Sequence, residues 1–438
     1  MNPTKNKKVL IITYYWPPGG GAGVQRWLKF TKYLPLFHID PVVLTVDPDS
    51  ASYPLYDESL KTDINPDISV YKTKSKEVYT LYKKISGQKD IPFGGFSNQN
   101  RVGLIQTLSI WIRGNLFIPD PRKGWNSFAI EKACEIIVNE KISAIITTSP
   151  PHSTQLIGYQ LKKKTLLPWI ADLRDPWTDL YYYKDLRLNR FAHMRNLYLE
   201  KKVLESADKV IVVSNHIKNL FTKKSVRLNP DNFHVIPNGY DPPDFIFKDQ
   251  KKEKQFIITY TGTLNERYNI EGFLTAIKSV RDNQKIPIQI FLIGSFSPSV
   301  IQLIKENNLS DNFEIYDHVS HSRSIEFLNR STLLFLAIPD TENNEGIVTG
   351  KLFEYLASRK LIMMIGPKQG DAASIIQDCN CGRSFEYHEV EAMEQFLIDI
   401  YHKWSSNEEI YSGNQKYLKY SRRELTKQLS QIIHNTTV

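Results

Sequence analysis

Hydrophobic residues in this chain fall in short unbroken runs, separated by stretches where they recur every three or four positions. Val9-Leu-Ile-Ile-Thr-Tyr-Tyr15, Pro41-Val-Val-Leu-Thr-Val46, Ala144-Ile-Ile-Thr-Thr148, Leu167-Pro-Trp-Ile-Ala171 and Lys209-Val-Ile-Val-Val213 are such runs in the first half. Phe256 to Tyr260, Ile288 to Ile293, Phe313 to Ile315, Leu333 to Ile338, Leu361 to Ile365 and Arg383 to Phe385 are their counterparts in the second. Apolar runs that do not alternate with polar residues are strands covered on both faces, the habit of parallel sheets. Between them lie helical patterns, among them Val24 to Leu34, Leu104 to Ile118, about Leu186 to Ser206, and one through Phe273, Ala276 and Val280. Strand and helix alternate through both halves, so the pattern predicts two doubly wound α/β domains. The turn-rich segment His234-Val-Ile-Pro-Asn-Gly-Tyr-Asp-Pro-Pro243 closes the first, which gives domains of 1–238 and 239–409 with helices to the end.

Open parallel sheets bind ligands beyond the carboxyl ends of their strands, so the residues after each run carry the chemistry. The first run leads into Trp16-Pro-Pro-Gly-Gly-Gly-Ala-Gly23, where Gly20 and Gly21 let backbone N–H groups approach a ligand. Neither Gly19 nor Gly21 completes Gly-x-Gly-x-x-Gly, so dinucleotide binding is not supported. Asp47-Pro-Asp49 has the form of a metal-binding Asp-x-Asp, but proline and acid at a strand end are ordinary turn chemistry, and it reads as a turn. Ser149-Pro-Pro-His152 sets a histidine at a helix start, where it caps or donates to a phosphate or sugar hydroxyl. Asp172-Leu-Arg-Asp175-Pro-Trp177 places two carboxylates and a guanidinium at one strand end.

The most informative stretch is Glu345-Gly-Ile-Val-Thr-Gly-Lys-Leu-Phe-Glu354-Tyr-Leu-Ala-Ser358, a crossover helix between the Leu333 and Leu361 runs. Leu352 and Leu356 share one face, as do Phe353 and Ala357, while Lys351, Glu354 and Ser358 fall together on another. Thr349 and Gly350 stand where a cap and first turn belong, so unpaired N–H groups and the positive end of the dipole meet an anion there. Taken alone, Lys351 and Glu354 read equally as a solvated i, i+3 pair.

Lys351-Leu-Phe-Glu-Tyr-Leu-Ala357 resembles the donor-nucleotide motif of retaining glycosyltransferases of family 4 (glycosyl transferases group 1), of the bacterial surface-polysaccharide type. The resemblance implies the GT-B fold, an α/β architecture of two Rossmann-like doubly wound parallel-sheet domains facing a cleft. Nucleotide-sugar donor sits on the second domain and acceptor on the first, and the last helix, within about 410–438, crosses back to the first. Ile236-Pro-Asn-Gly239 resembles the family's interdomain junction. In that family the position of Glu354 holds the ribose hydroxyls. The usual second glutamate lies eight positions earlier, where this chain has Gly346, so its contact with the transferred sugar passes to the neighbouring Glu345. Gly20, Gly21, Gly262 and Thr263 line the donor loops. Thr263 stands where many relatives carry an arginine, which leaves Arg267 and Lys351 to neutralise the diphosphate beside the N–H groups of Gly350, Lys351 and Leu352. His152, Asp175 and Glu345 are the catalytic candidates, with Asp172 and Arg174 on the acceptor side and Asp175 across from Glu354. The implied reaction is metal-independent hexosyl transfer with retention, to a glycan or lipid-linked acceptor, in polysaccharide, lipopolysaccharide or capsule synthesis, with no cofactor besides the donor substrate. A nucleotide-sugar epimerase would share this fold and nucleotide site but take no acceptor.

Of the 438 residues 41% are apolar and 24% charged, the balance of a folded protein. A formal charge of +9 favours anionic partners: nucleotide phosphates, lipid head groups or nucleic acid. The lysines are scattered and form no stripe, which disfavours nucleic acid. Lys72, Lys74, Lys76, Lys83, Lys84 and Lys89 precede a Gly94-Gly loop and the helical pattern with Trp111 and Arg113. Such a segment fits a helix lying on the inner membrane surface, and fits also a buried helix beneath a lysine-bearing surface, which is the commoner case. Three cysteines without zinc spacing and a start without a signal-peptide core point to a cytoplasmic protein.

Overall fold

The computed structural model describes residues 6–76, 104–245, 252–317 and 319–437. Two compact units divide the chain, residues 1–237 with 422–438 forming unit 1 and residues 238–421 forming unit 2. Lys83, Lys84, Lys89 and the Gly94 loop lie outside the described residues.

Unit 1 is built on β1 (Lys7–Ile12), β2 (Ile39–Val46), β3 (Ser69–Thr73), β4 (Ala144–Ser149), β5 (Trp169–Leu173), β6 (Lys209–Val212) and β7 (Phe233–Val235). They form a seven-stranded sheet in the order β3-β2-β1-β4-β5-β6-β7, parallel throughout. Alternate side chains feed the two faces: Leu10 and Ile12 join one core with Trp125 and Trp169, Val9 and Ile11 the other with Trp27 and Leu28. The second core also takes Leu425, Leu429, Ile432 and Ile433 from the helix Arg422–Thr436, so the end of the chain belongs to unit 1.

Unit 2 repeats the plan with β8 (Phe256–Leu264), β9 (Ile288–Phe296), β10 (Phe313–Tyr316), β11 (Leu333–Ala337), β12 (Leu361–Ile365) and β13 (Gly382–Phe385) in the order β10-β9-β8-β11-β12-β13, again all parallel. In each sheet the order reverses at one place, β1 beside β4 in unit 1 and β8 beside β11 in unit 2. Chains leaving neighbouring strands there turn to opposite faces and open a crevice at the carboxyl edge. The glycine loop and His152 follow β1 and β4; Gly262 and Thr263 lie in the last residues of β8 with Arg267 just beyond it, and Glu345 to Lys351 follow β11.

Three elements depart from the sequence expectation. β3 and β7 are strands where a basic region and a turn-rich closing segment were expected. Both lie at sheet edges and are short and partly exposed, so neither shows a continuous apolar run. The helix expected from Leu186 begins at Arg190, because Tyr183–Leu186 forms a 3₁₀ turn and the Asn189 side chain caps the helix by accepting from Ala192 N at 2.8 Å.

Candidate active site

In unit 2 the helix Gly350–Ser358 packs Leu352, Phe353, Tyr355, Leu356 and Ala357 into the core. Two tyrosines latch it to β8. Tyr355 Oη accepts from Thr261 N at 3.0 Å, and Tyr260 Oη accepts from Lys351 Nζ at 2.5 Å while donating to the Thr263 carbonyl at 2.8 Å. The Lys351 ammonium also lies 4.3 Å from the Tyr260 ring centroid and 5.9 Å from that of Tyr268. It occupies the place a side chain at residue 262 would need, since a Cβ there would fall 3.0 Å from Nζ, and Gly262 has a φ of 111° that favours glycine. Lys351 therefore does not pair with Glu354. Glu354 is half-buried with its Oε1 3.4 Å from His321 Nε2, at the start of the helix His321–Arg330. Ser358, expected on the same open face, is instead buried, its hydroxyl donating to Tyr355 O at 2.7 Å. The reason is its place in the last turn, which packs inward with Leu356 and Ala357.

The amino end of this helix is open. Thr349 holds the cap position without a side-chain capping bond, its hydroxyl buried with no partner among the described residues, and a Cβ added at Gly350 would meet nothing within 4 Å. Leu352 is fully buried and offers only its backbone, whose N–H donates to Thr349 O at 3.2 Å. Glu345 sits half-buried on the 3₁₀ turn Asn344–Gly346 leading to the helix. Arg267, half-buried after β8, accepts through its carbonyl from Asp340 N at 2.7 Å, which ties the loops after β8 and β11 together. Thr263 is exposed.

Burial pushes the Lys351 amine down to about 7, against the opposing pull of Glu354. If Lys351 meets a diphosphate, as the resemblance implies, binding is expected to restore the charged form and to take up a proton above neutrality. Affinity for a nucleoside diphosphate is expected to fall as pH rises from about 7 to 9, by up to about tenfold per unit. Calorimetric titration with UDP across that range checks this, and an affinity flat with pH contradicts it.

In unit 1, Asp172 and Asp175 have opposite surroundings. Asp172 is fully buried, with Arg26 donating to its Oδ1 at 2.9 Å and Oδ2 at 3.2 Å, Trp27 Nε1 donating at 2.7 Å and Thr148 Oγ1 at 2.8 Å. Arg26 also donates to the carbonyls of Ile236 and Pro237, at 2.9 and 3.0 Å. Asp172 thus joins β5 to the helix Ala22–Tyr33 and to the end of β7. Asp175 is half-buried and has no hydrogen-bond or ion-pair partner among the described residues. Burial pushes its carboxyl above the usual range, partly offset by Arg174. Arg174 donates through Nε to Ser149 O at 3.0 Å and through Nη2 to Pro150 O at 3.3 Å, while its Nη1 lies over Gly23, where a Cβ would be 3.3 Å away. The glycine loop is partly spent on its own structure: Gly20 N donates to Leu55 O at 2.9 Å, and Gly21 caps the helix Ala22–Tyr33 through its backbone.

His152 stacks on Trp177 with centroids 4.8 Å apart and planes 9° from parallel. It is 8% exposed, and neither ring nitrogen has a partner among the described residues. Burial, with Arg174 and Lys224 adding to it, holds the imidazole near 3, hence neutral. A buried donor and acceptor left unpaired is costly and calls for a water or a ligand. The loop carrying Trp177 is fixed from behind: Trp177 Nε1 donates to Asn196 Oδ1 at 3.0 Å, and Glu200 accepts from Thr178 Oγ1 and Lys224 Nζ, both at 2.6 Å. Asp47 accepts from Asp49 N at 3.0 Å and caps the turn Pro48–Ser50, as the turn reading expected.

Arg26, Tyr260, Tyr355 and His321 escape a reading of strand ends. All four come from within helices, a strand interior or a helix start, and their sequence neighbours do not mark them as polar partners.

A comparison of the sequence with curated proteins returns no match. The chain matches the family Glycosyltransferase Family 4 over residues 98–243 and the family Glycosyl transferases group 1 over residues 241–432. Among solved structures it is similar to sucrose-phosphate synthase from Thermosynechococcus elongatus (TM-score 0.62, 13% identity, covering 98% of this chain and 99% of that one). It is similar to the Anabaena protein HepE in complex with UDP-glucose (0.60, 12%, 98% and 99%). It is similar also to WaaG, a glycosyltransferase involved in lipopolysaccharide biosynthesis (0.55, 13%, 97% and 99%). With two doubly wound parallel sheets and both family matches, the chain is a GT-B-fold protein related to the glycosyltransferases of family 4.

Proposed function

We propose that the chain transfers a sugar from a nucleotide-sugar donor to a glycan or lipid-linked acceptor, with retention of configuration, in cell-surface polysaccharide synthesis. The open amino end of the helix Gly350–Ser358, with Lys351 in its first turn and Glu354 one turn on, carries this reading. The family matches support it, as do the UDP-glucose complex of the Anabaena protein and the lipopolysaccharide role of WaaG.

In this proposal Glu354 accepts hydrogen bonds from the ribose hydroxyls, oriented by His321. Lys351, Arg267 and the N–H groups of Gly350 and Lys351 hold the diphosphate, bordered by Gly262 and Thr263. Negative charge grows on the diphosphate as its bond to the sugar breaks, and donors already in place stabilise it. Neutral His152 offers one N–H and one lone pair to the sugar or its phosphate, Glu345 contacts the transferred sugar, and Gly21 borders it. Asp175 meets the acceptor hydroxyl, with Arg174 beside it. The cationic groups take the part a metal plays in other transferases, and Asp47 is left to its turn.

Glu354→Gln is the test. It keeps the shape and removes the charge that strengthens hydrogen bonds to the ribose, so donor affinity is expected to fall about tenfold or more. Titration with UDP and UDP-sugars reads this directly. An affinity at the unmodified level removes Glu354 from the site.

A further inference from the structure

Two helices of unit 1 that touch one another turn large apolar side chains to solvent. On the helix Arg190–Ser206, Phe191, Met194 and Tyr198 recur at i, i+3 and i+7 and are 74%, 57% and 51% exposed, while Ala192, Asn196, Leu199 and Val203 face inward. The helix Leu104–Leu116 abuts its start: Asn115 Oδ1 accepts from Asn189 N at 2.7 Å, and Asn115 Nδ2 donates to Arg187 O at 3.2 Å. Trp111 and Ile112, a turn before Asn115 and flanking its direction, are exposed, and so is Leu116. Single exposed apolar residues are ordinary, but such a group on adjoining helices marks a surface that is covered in use.

The exposed charges on and just before the helix Arg190–Ser206 are cationic, while Asp185, two residues before Arg187, is half-buried. Arg187, Arg190, Arg195 and Lys201 are exposed. Arg195 lies 5.3 Å from the Tyr198 ring centroid, and Lys202 lies 4.8 and 5.1 Å from those of Tyr159 and Tyr198. From Arg187 to Leu204 the single acid is Glu200, which is buried and ion-paired to Lys224 at 2.6 Å. Glu205, just beyond, lies 3.8 Å from Lys201. Aromatic and aliphatic side chains beside arginines and lysines match the boundary between acyl chains and anionic head groups. A protein partner of the same size needs no such excess of cations. No helix among the described residues is long and apolar enough to cross a membrane, so the contact lies along the surface.

We propose that this face docks the chain on an anionic lipid bilayer, with Trp111, Phe191, Met194 and Tyr198 entering the head-group region and Arg187, Arg190, Arg195 and Lys202 meeting the phosphates. This extends the lipid-linked-acceptor reading, and the experiment uses neither donor nor acceptor, so the two fail separately. The full chain is sedimented with vesicles of phosphatidylcholine alone or with phosphatidylglycerol. Each cation near the surface strengthens binding about fivefold, so the anionic vesicles are expected to bind the chain at least about tenfold more tightly, with salt weakening it. Phe191→Ser with Met194→Ser, and separately Arg190→Glu with Arg195→Glu, each lower that affinity about tenfold or more without changing Tm or UDP binding. Brominated phosphatidylglycerol quenches fluorescence that Trp111→Phe removes. Failure of the unmodified chain to bind anionic vesicles overturns the proposal, as does binding that both double variants leave intact. A dimer in solution that Phe191→Ser with Met194→Ser makes monomeric overturns it in favour of a second copy.

Discussion

Asp175→Asn is expected to slow sugar transfer by about 10²-fold or more while leaving nucleotide affinity nearly unchanged. The carboxylate stands at the end of β5 with no protein partner among the described residues, yet it is held half-buried where its ionised form is disfavoured. A charge kept in such a place without a structural bond has its use in something that arrives later. Asn keeps the size and one acceptor oxygen but cannot carry charge, so the loss falls on the step that polarises the acceptor hydroxyl. Single-turnover rates and UDP titration on the same preparation separate the two quantities. A comparable loss in both places Asp175 on the donor side, and a loss in neither removes it from the reaction.

Asp172→Ala, three residues earlier, is expected to act on stability instead, costing about 3–5 kcal/mol. Removing this carboxylate leaves the Arg26 guanidinium fully buried without its counter-charge and strands the Trp27 and Thr148 donors. The pair as a whole contributes less than that figure, because much of the cost is the unpaired charge left behind. Arg26→Met with Asp172→Leu, which removes both charges, is accordingly expected to recover most of the loss. Denaturant unfolding with the two variants checks this. A single-variant cost below about 1 kcal/mol would show that the interior relaxes around Arg26, contrary to its fixed bonds to the Ile236 and Pro237 carbonyls.

The contrast marks how far the sequence was legible. Central strands announce themselves, since burial on both faces demands an unbroken apolar run, and Leu361–Ile365 is found at the boundaries expected. Edge strands need no such run: β10 and β13 are marked by short runs between helical patterns, while β3 and β7 leave no signal. At the site, helix position told which residues lead the chain out of a strand end, but not where their side chains go. Asp172 and Asp175 look alike in Asp-Leu-Arg-Asp, and only Arg26, distant in sequence, distinguishes them. Lys351 and Glu354 have the spacing of a solvated pair, and it takes Tyr260, from a strand interior, to show that the lysine turns away from the glutamate. Polar partners supplied by other elements are set by tertiary packing, which no local pattern carries.

The central claim is sugar transfer from a nucleotide donor bound by unit 2. Its most direct measurement is mass spectrometry of products from a panel of nucleotide sugars, incubated with chain and a mixed glycan and lipid-linked acceptor extract. The account predicts that one nucleotide sugar yields free nucleoside diphosphate and an acceptor heavier by one sugar residue, and that both products fall together in Glu354→Gln. A nucleotide sugar returned as its epimer, with no acceptor gaining mass, would contradict it.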